Sequence, residues 1–143
     1  MTAYNNILVA LDVSNEAETV LAHAVEMAEK FEARLMLCHV VEPIAVETNY
    51  DIGPTIDLEV EQALMERADS FLQKLIETFN LKDTKTITTI GSPKQELHRI
   101  CEDEQINLLV IGTHGRHGIS ILLGSTANAV LHGTNCDVLS VKV

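Results

Sequence analysis

Aromatic side chains are scarce in this chain of 143 residues. Phe, Tyr and Trp together make 3%, and Trp is absent, so any core must be aliphatic. Positive charge is scarce as well: 10 Lys and Arg stand against 21 Asp and Glu, a formal net charge of −11. Such a surface repels nucleic-acid phosphates and anionic lipid, which argues against both as partners. A small anionic ligand would need a local site built from backbone donors. The three cysteines, Cys38, Cys101 and Cys136, are too few and odd in number for a disulfide scaffold. Reduced thiols and a cytoplasmic setting are expected. Long hydrophobic runs are missing too. Ile7–Leu11 is too short to span a membrane and no basic segment precedes it, so neither membrane insertion nor export is expected. What is present is ordinary for a globular protein: 46% apolar and 22% charged residues. The length suits one domain, 1–143, which can bury roughly 70% of its unfolded surface without metal or disulfide.

The hydrophobic pattern alternates between two periods. Asn6–Asp12 (NILVALD) is a near-continuous aliphatic run, the mark of a strand covered on both faces. Ser14 can cap the helix that follows, where Ala17, Val20, Leu21, Ala24, Val25, Ala28 and Phe31 recur at spacings of three and four. Arg34–Val41 (RLMLCHVV) is a second buried strand. Glu42–Thr55 reads as a loop containing Pro43 and Pro54, long enough to be functional. From about Ile56 to Phe79 a helix carries Val60, Leu64, Ala68, Phe71, Leu72, Leu75, Ile76 and Phe79 on one stripe, with Glu59, Glu61, Glu66 and Asp69 on its solvated side. Thr84–Ile90 alternates polar and apolar, as an edge or half-wet strand does. Ser92, Pro93 and Gln95 together predict a capping box opening a helix to about Glu104. Asn107–Ile111 is a buried strand ending at Gly112. Ser125 starts a short helix to about His132, and Asp137–Val143 is a closing strand. Alternation of strand and helix with short connections implies an α/β fold: a five-stranded parallel sheet with helices on both faces. In the strand order 3-2-1-4-5, a ligand would sit where the order reverses, between the first and fourth strands. Asp12 and Gly112 end those two strands.

Gly112–Thr126 (GTHGRHGISILLGST) holds four of the seven glycines, just after a strand and just before a helix. Glycine lets backbone N–H groups approach a ligand, and Gly124-Ser125-Thr126 opens a helix whose free N–H groups favour phosphate. Between Ile100 and Val141, Arg116 is the only Lys or Arg, which makes it a plausible phosphate partner. A purely structural connection, with Ser125 as an ordinary cap, fits the same residues. The stretch is neither a Walker A loop nor a dinucleotide fingerprint, and LDVSNE after the first strand holds no glycine. Asp12 reads equally as a turn residue or as a ligand for ribose or for a cation carried by phosphate. A receiver domain is excluded by the lack of an acidic cluster and of an acceptor aspartate after the third strand. His114, His117, His132 and Cys136 loosely imitate zinc spacing, but loop histidines and a buried cysteine account for them better. Cys38 and His39, within a strand, read as packing residues. No nucleophile elbow or paired carboxylates support covalent catalysis.

ILVALDVS, LCHVVEP, GSPKQELHRI, NLLVIGTHGRHG, LLGSTANAVLH and CDVLSVKV occur in this order along the whole chain. In this the sequence resembles the universal stress protein family, UspA type. The resemblance implies a Rossmann-like, adenine nucleotide α-hydrolase-like domain, a cytoplasmic homodimer, and, where the motif G-x2-G-x9-G-S/T is kept, ATP as ligand with Mg²⁺ accompanying it. Gly112 and Gly115 match the first two glycines and Gly124-Ser125 the last pair. Asp12 matches the first-strand aspartate, and Val40 the position whose backbone meets adenine. The implied nucleotide contacts are thus Leu11, Asp12, Val40, Gly112, Thr113, Gly115, Arg116, Gly124, Ser125 and Thr126. One departure is visible: Arg116–Leu123 is one residue shorter than the motif's interval, with Gly118 inside it. The family resemblance also points to a regulatory module acting on an unidentified protein partner, with at most slow ATP hydrolysis or autophosphorylation. A nucleotide-independent dimeric adaptor is the alternative. VLSVKV would lie at a sheet edge and pair with its copy in the homodimer.

Overall fold

The computed structural model describes residues 4–43, 45–46, 55–56, 58–113 and 133–143. Strand β1 (Asn6–Ala10) leads into helix α1 (Ala17–Phe31) and strand β2 (Arg34–Val41). Two short strands, β3 (Ala45–Val46) and β4 (Thr55–Ile56), precede helix α2 (Leu58–Thr78). Then follow β5 (Lys85–Ile90), α3 (Pro93–Asp103), β6 (Leu108–Gly112) and β7 (Asp137–Val141). The main sheet has five strands in the order β5-β2-β1-β6-β7, every pairing parallel. With the small hairpin set aside this is the expected 3-2-1-4-5 order. The helix expected from Ser125 to His132 lies outside the described residues.

The aliphatic runs form the central strands because only fully apolar segments can be covered on both faces. Alternate residues supply two cores. Ile7, Val9, Leu35, Leu37, Leu108 and Val110 meet Val20, Leu21 and Ala24 of α1 and Leu72 and Leu75 of α2. On the other face Leu8, Ala10, Met36, Cys38, Leu109 and Ile111 meet Leu97, Ile100 and Cys101 of α3. Each buried aliphatic side chain contributes ~1.5–3 kcal/mol, which makes the two-faced central strands the main source of stability.

Several local expectations are corrected. The segment Glu42–Thr55 is not wholly loop, since Ala45–Val46 pairs antiparallel with Thr55–Ile56. Ile56 belongs to that hairpin, and α2 begins at Leu58. The stripe on α2 is buried at Ala68, Leu72 and Leu75, whereas Val60, nearer its start, is 38% exposed. Phe31 is likewise 38% exposed and makes an edge-to-face contact with Tyr4, ring centroids 5.1 Å apart. Neither serine caps through its side chain. Glu16 occupies the cap position of α1, while the Ser14 hydroxyl turns back to the Asp12 carboxylate at 2.7 Å, a charged and therefore stronger acceptor. Ser92 does stand at the cap of α3 with Pro93 inside the first turn, but its side chain makes no cap hydrogen bond, so the capping box is not formed.

At the amino end of the sheet, Asn107 Oδ1 accepts from the amides of Asn5 and Asn6 at 3.1 and 3.0 Å, joining β6 to β1. Glu104 pairs there with Arg34 at 3.4 Å and with Lys85. These cations hold the Glu104 carboxyl below the ordinary carboxylate range, Lys85 most strongly through its hydrogen bond.

Candidate functional site

The chain goes from β1 to β2 on one side, then returns across the sheet from β5 to β6 on the other side of β1. In open parallel sheets ligands bind in the crevice outside the carboxyl ends of the strands where the order reverses, which here are β1 and β6. Ladder register aligns what lies there. Val9 pairs with Val110 and Ala10 with Cys38. Continued one step, the register levels Leu11 with His39 and Gly112, and the next step levels Asp12 with Val40 and Thr113. Six residues from three separate parts of the sequence thus meet at one rim.

Asp12 is 6% exposed and is the one buried charged side chain among the described residues. A carboxylate is kept out of water only where hydrogen bonds compensate its lost hydration. The Ser14 hydroxyl at 2.7 Å supplies one, and the Ser14 amide donates to the Asp12 carbonyl at 3.0 Å, closing a tight turn.

Val40 lies where β2 outlasts β1. The last rung is the Leu11 amide donating to the Cys38 carbonyl, and the Gly91 amide donates to Val41 on the opposite side. Hydrogen bonds of a strand inside a parallel sheet alternate between its neighbours. The Val40 peptide groups are therefore directed toward the β1 side, past the last rung. Level with Val40 on β5 is Thr89, whose hydroxyl oxygen is buried without a hydrogen-bond partner among the described residues, as is Oε1 of Glu42 just beyond β2. Orphaned polar atoms at a crevice rim suit recognition of a polar ligand edge.

His39 is not the packing residue its strand position implied. Its Nδ1 lies 2.6 Å from the Leu11 carbonyl oxygen. A carbonyl only accepts, so Nδ1 carries the proton and the ring pins the turn that presents Asp12. Sequence reading missed this because a histidine in an apolar strand gives no sign of how far its ring reaches along the sheet. Cys38, beside it, is fully buried as expected.

Gly112 and Thr113 have clear structural duties. A Cβ on Gly112 would lie 3.0 Å from Val20 Cγ2 and 3.5 Å from Val143 Cγ2, so the strand end sits close against α1 and the C-terminal tail. Its φ is not in the left-handed region, so close approach and not backbone freedom explains the glycine. The Thr113 amide donates to the Val141 carbonyl at 2.8 Å, and its Oγ1 accepts from the Val143 amide at 3.1 Å. Gly115, Arg116, Gly124, Ser125 and Thr126 lie outside the described residues, as do His114, His117 and His132. Among the described residues no group of three or more His, Cys, Asp or Glu could hold a metal ion. No helix among them is long and apolar enough to cross a membrane.

Residues 3–142 match the universal stress protein family. Universal stress protein A homolog 2 of Coxiella burnetii is 35% identical over 144 aligned positions, covering 100% of this chain and 98% of that protein. Among solved structures, hypothetical protein MJ0577 superposes with a TM-score of 0.74 at 25% identity, over 99% of this chain and 98% of the other. The universal stress protein of Archaeoglobus fulgidus in complex with dAMP superposes with a TM-score of 0.59 at 22% identity, over 99% and 100% of the two chains, a likeness of fold. With a full-length family match and a close relative sharing more than a third of its residues, the chain belongs to the universal stress protein family.

Proposed function

We propose that this chain is a single-domain, cytoplasmic universal stress protein that binds an adenine nucleotide, ATP foremost, and acts as a homodimeric regulatory module toward a protein partner. The observation that carries the reading is the buried Asp12 carboxylate, level with the Val40 backbone, at the point where strand order reverses. A carboxylate beside an outward-directed strand backbone suits a nucleoside: Asp12 accepts from ribose hydroxyls, and the Val40 peptide groups meet the base edge. Leu11 and Gly112 form the floor between them. Where phosphates bring Mg²⁺, Asp12 is the described residue able to ligate it. Gly115, Arg116, Gly124, Ser125 and Thr126 supply the phosphate contacts in this reading. Adenine nucleotide bound to a protein of the same fold, as in the dAMP complex, is consistent with it.

A second reading, a dimeric adaptor that needs no nucleotide, is favoured by Gly112 and Thr113. Packing against Val20 accounts for the glycine, and tethering the C-terminal tail accounts for the threonine. Denaturing the purified protein and identifying released small molecules by mass spectrometry separates the two. The first reading expects adenine nucleotide near one per chain and an ATP-dependent rise in melting temperature. Asp12→Ala, checked for folding by circular dichroism, then weakens ATP binding about ten- to a hundredfold, the worth of a hydrogen bond to a charged group. Absence of both released nucleotide and thermal shift overturns it in favour of the adaptor.

A further inference from the structure

Away from the crevice, at the entry to β7, the structure brings two thiols together. His98, Cys101 and Glu102 stand at spacings of three and four on α3 and so share one face. Opposite them runs the turn from Gly133 to Cys136, and between the two lies a cavity of about 210 Å³. A Cβ on Gly133 would fall 2.2 Å from His98 Cε1, so the missing side chain lets this turn seat directly against the helix. Both thiols line the cavity: Cys101 is 8% exposed, and Cys136 is half-buried. Cys136 packs against the buried cluster to which Cys101 belongs. Thr134 reinforces the turn, its hydroxyl lying 3.2 Å from the Cys136 carbonyl oxygen.

Cys136, expected from the sequence to be a buried cysteine, is only half-buried. The Cys136 thiol is pulled down to about 7, chiefly by the hydrogen bond from Cys101 and further by Thr134, against burial and the Asp137 carboxylate. Cys101 moves the opposite way: its hydrogen bond to Cys136 and its burial keep it protonated. Cys38 is fully buried and pushed up to about 12. One accessible thiolate with a protonated thiol at its side is the arrangement of an attacking and a resolving cysteine.

We propose that Cys101 and Cys136 are a peroxide-responsive dithiol that closes to an intramolecular disulfide. Cys136 Sγ attacks one oxygen of a hydroperoxide; the S–O bond forms, the O–O bond breaks, and hydroxide or alkoxide leaves and takes up a proton. Cys101, giving up its proton, then attacks the Cys136 sulfur; the S–S bond forms, the S–O bond breaks, and water leaves. With hydrogen peroxide the balance is two thiols oxidised by two electrons and one peroxide reduced to two waters. Thiol reductants reverse it by exchange. The bond would fasten α3 to the start of β7, bracketing the segment that leaves β6.

The test uses the reduced full-length chain with a modest excess of hydrogen peroxide, followed by denaturation, alkylation and peptide mapping. The expected result is loss of two hydrogens, a Cys101–Cys136 linked peptide, alkylation of Cys38 alone, and full reversal by dithiothreitol. In Cys101→Ser the reaction stops at a sulfenic acid on Cys136 that dimedone traps. In Cys136→Ser, Cys101 oxidation slows about tenfold or more, since a protonated thiol is the poorer nucleophile. Unchanged mass, over-oxidised Cys136 with Cys101 still alkylated, or a disulfide between chains would each overturn the proposal. None of these readouts depends on nucleotide, so failure here and failure of the proposed function are separable.

Discussion

Gly112→Ala places a methyl group 3.0 Å from Val20 Cγ2. Val20 is 4% exposed, and a β-branched side chain in a helix has one strongly preferred rotamer, so it cannot swing aside. Either α1 or the end of β6 must shift by a few tenths of an ångström. Overpacking of this kind costs ~1–3 kcal/mol. Because the Gly112 φ is compatible with alanine, the substitution also restricts the unfolded chain, which returns ~0.4–1 kcal/mol. The net expectation is a loss of roughly 0.5–2 kcal/mol, or a melting temperature lower by about 2–6 °C for a chain of this size. Val20→Ala removes the colliding methyl groups at the usual cost of a core truncation. In that background the sign of Gly112→Ala should reverse, leaving only the stabilisation of ~0.4–1 kcal/mol from the unfolded state. Urea unfolding of the four proteins measures the cycle. If Gly112→Ala destabilises the Val20→Ala protein as much as it does the parent, close packing on α1 is not the reason for glycine here.

Three further outcomes are expected. The Thr113 amide bonds to Val141 and the Asp137 amide to Asn107, so Val138 and Ser140 direct their amides outward along the free edge. Ser140→Pro should then leave the β6–β7 ladder intact while disrupting β7-to-β7 pairing, giving a monomer by sedimentation; a persisting dimer would refute assembly through that edge. Glu104 is held below its ordinary value of 4.5 by Lys85 and Arg34. A depressed carboxylate adds stability above the unfolded value and loses it as pH falls through the folded one. Glu104→Gln should therefore flatten the loss of stability below about pH 4.5, and an unchanged acid transition would count against the pairing. Finally, with Cys136 titrating near 7, its alkylation by iodoacetamide should be about a tenth as fast at pH 6 as at the alkaline plateau. Cys101→Ala, which removes the donor, tests the cause through an upward shift of that profile; a profile centred near that of a free thiol in the parent protein would refute it.

Period and composition carry much of the fold. Inside their polar ends NILVALD, RLMLCHVV and NLLVI are near-continuous apolar runs, which only a strand covered on both faces can use, and β1, β2 and β6 lie at the centre of the sheet. TKTITTI is polar at most positions, and β5 lies at an edge. Caps were less legible, because the same serine hydroxyl can bond an amide in the next turn or a nearby carboxylate. Ser14 chose Asp12, a preference visible only once that carboxylate is seen to be buried. The hairpin of Ala45–Val46 with Thr55–Ile56 was hidden because two-residue strands carry too little pattern to register.

By itself, then, the sequence determined the alternation of elements, the aliphatic core and the family, since each is a property of local spacing or of motifs in order. It also singled out Asp12, Val40 and Gly112, though as separate residues. Only the tertiary structure decided that Asp12, Val40 and Thr113 share one level, that His39 fastens the turn between them, and that Gly112 is small because Val20 lies against it. It alone decided that Cys101 and Cys136, far apart in the chain, line one cavity. The reason is the same in each case. Parallel pairing brings the ends of distant strands side by side, and what meets there depends on register and helix packing, which local spacing does not encode.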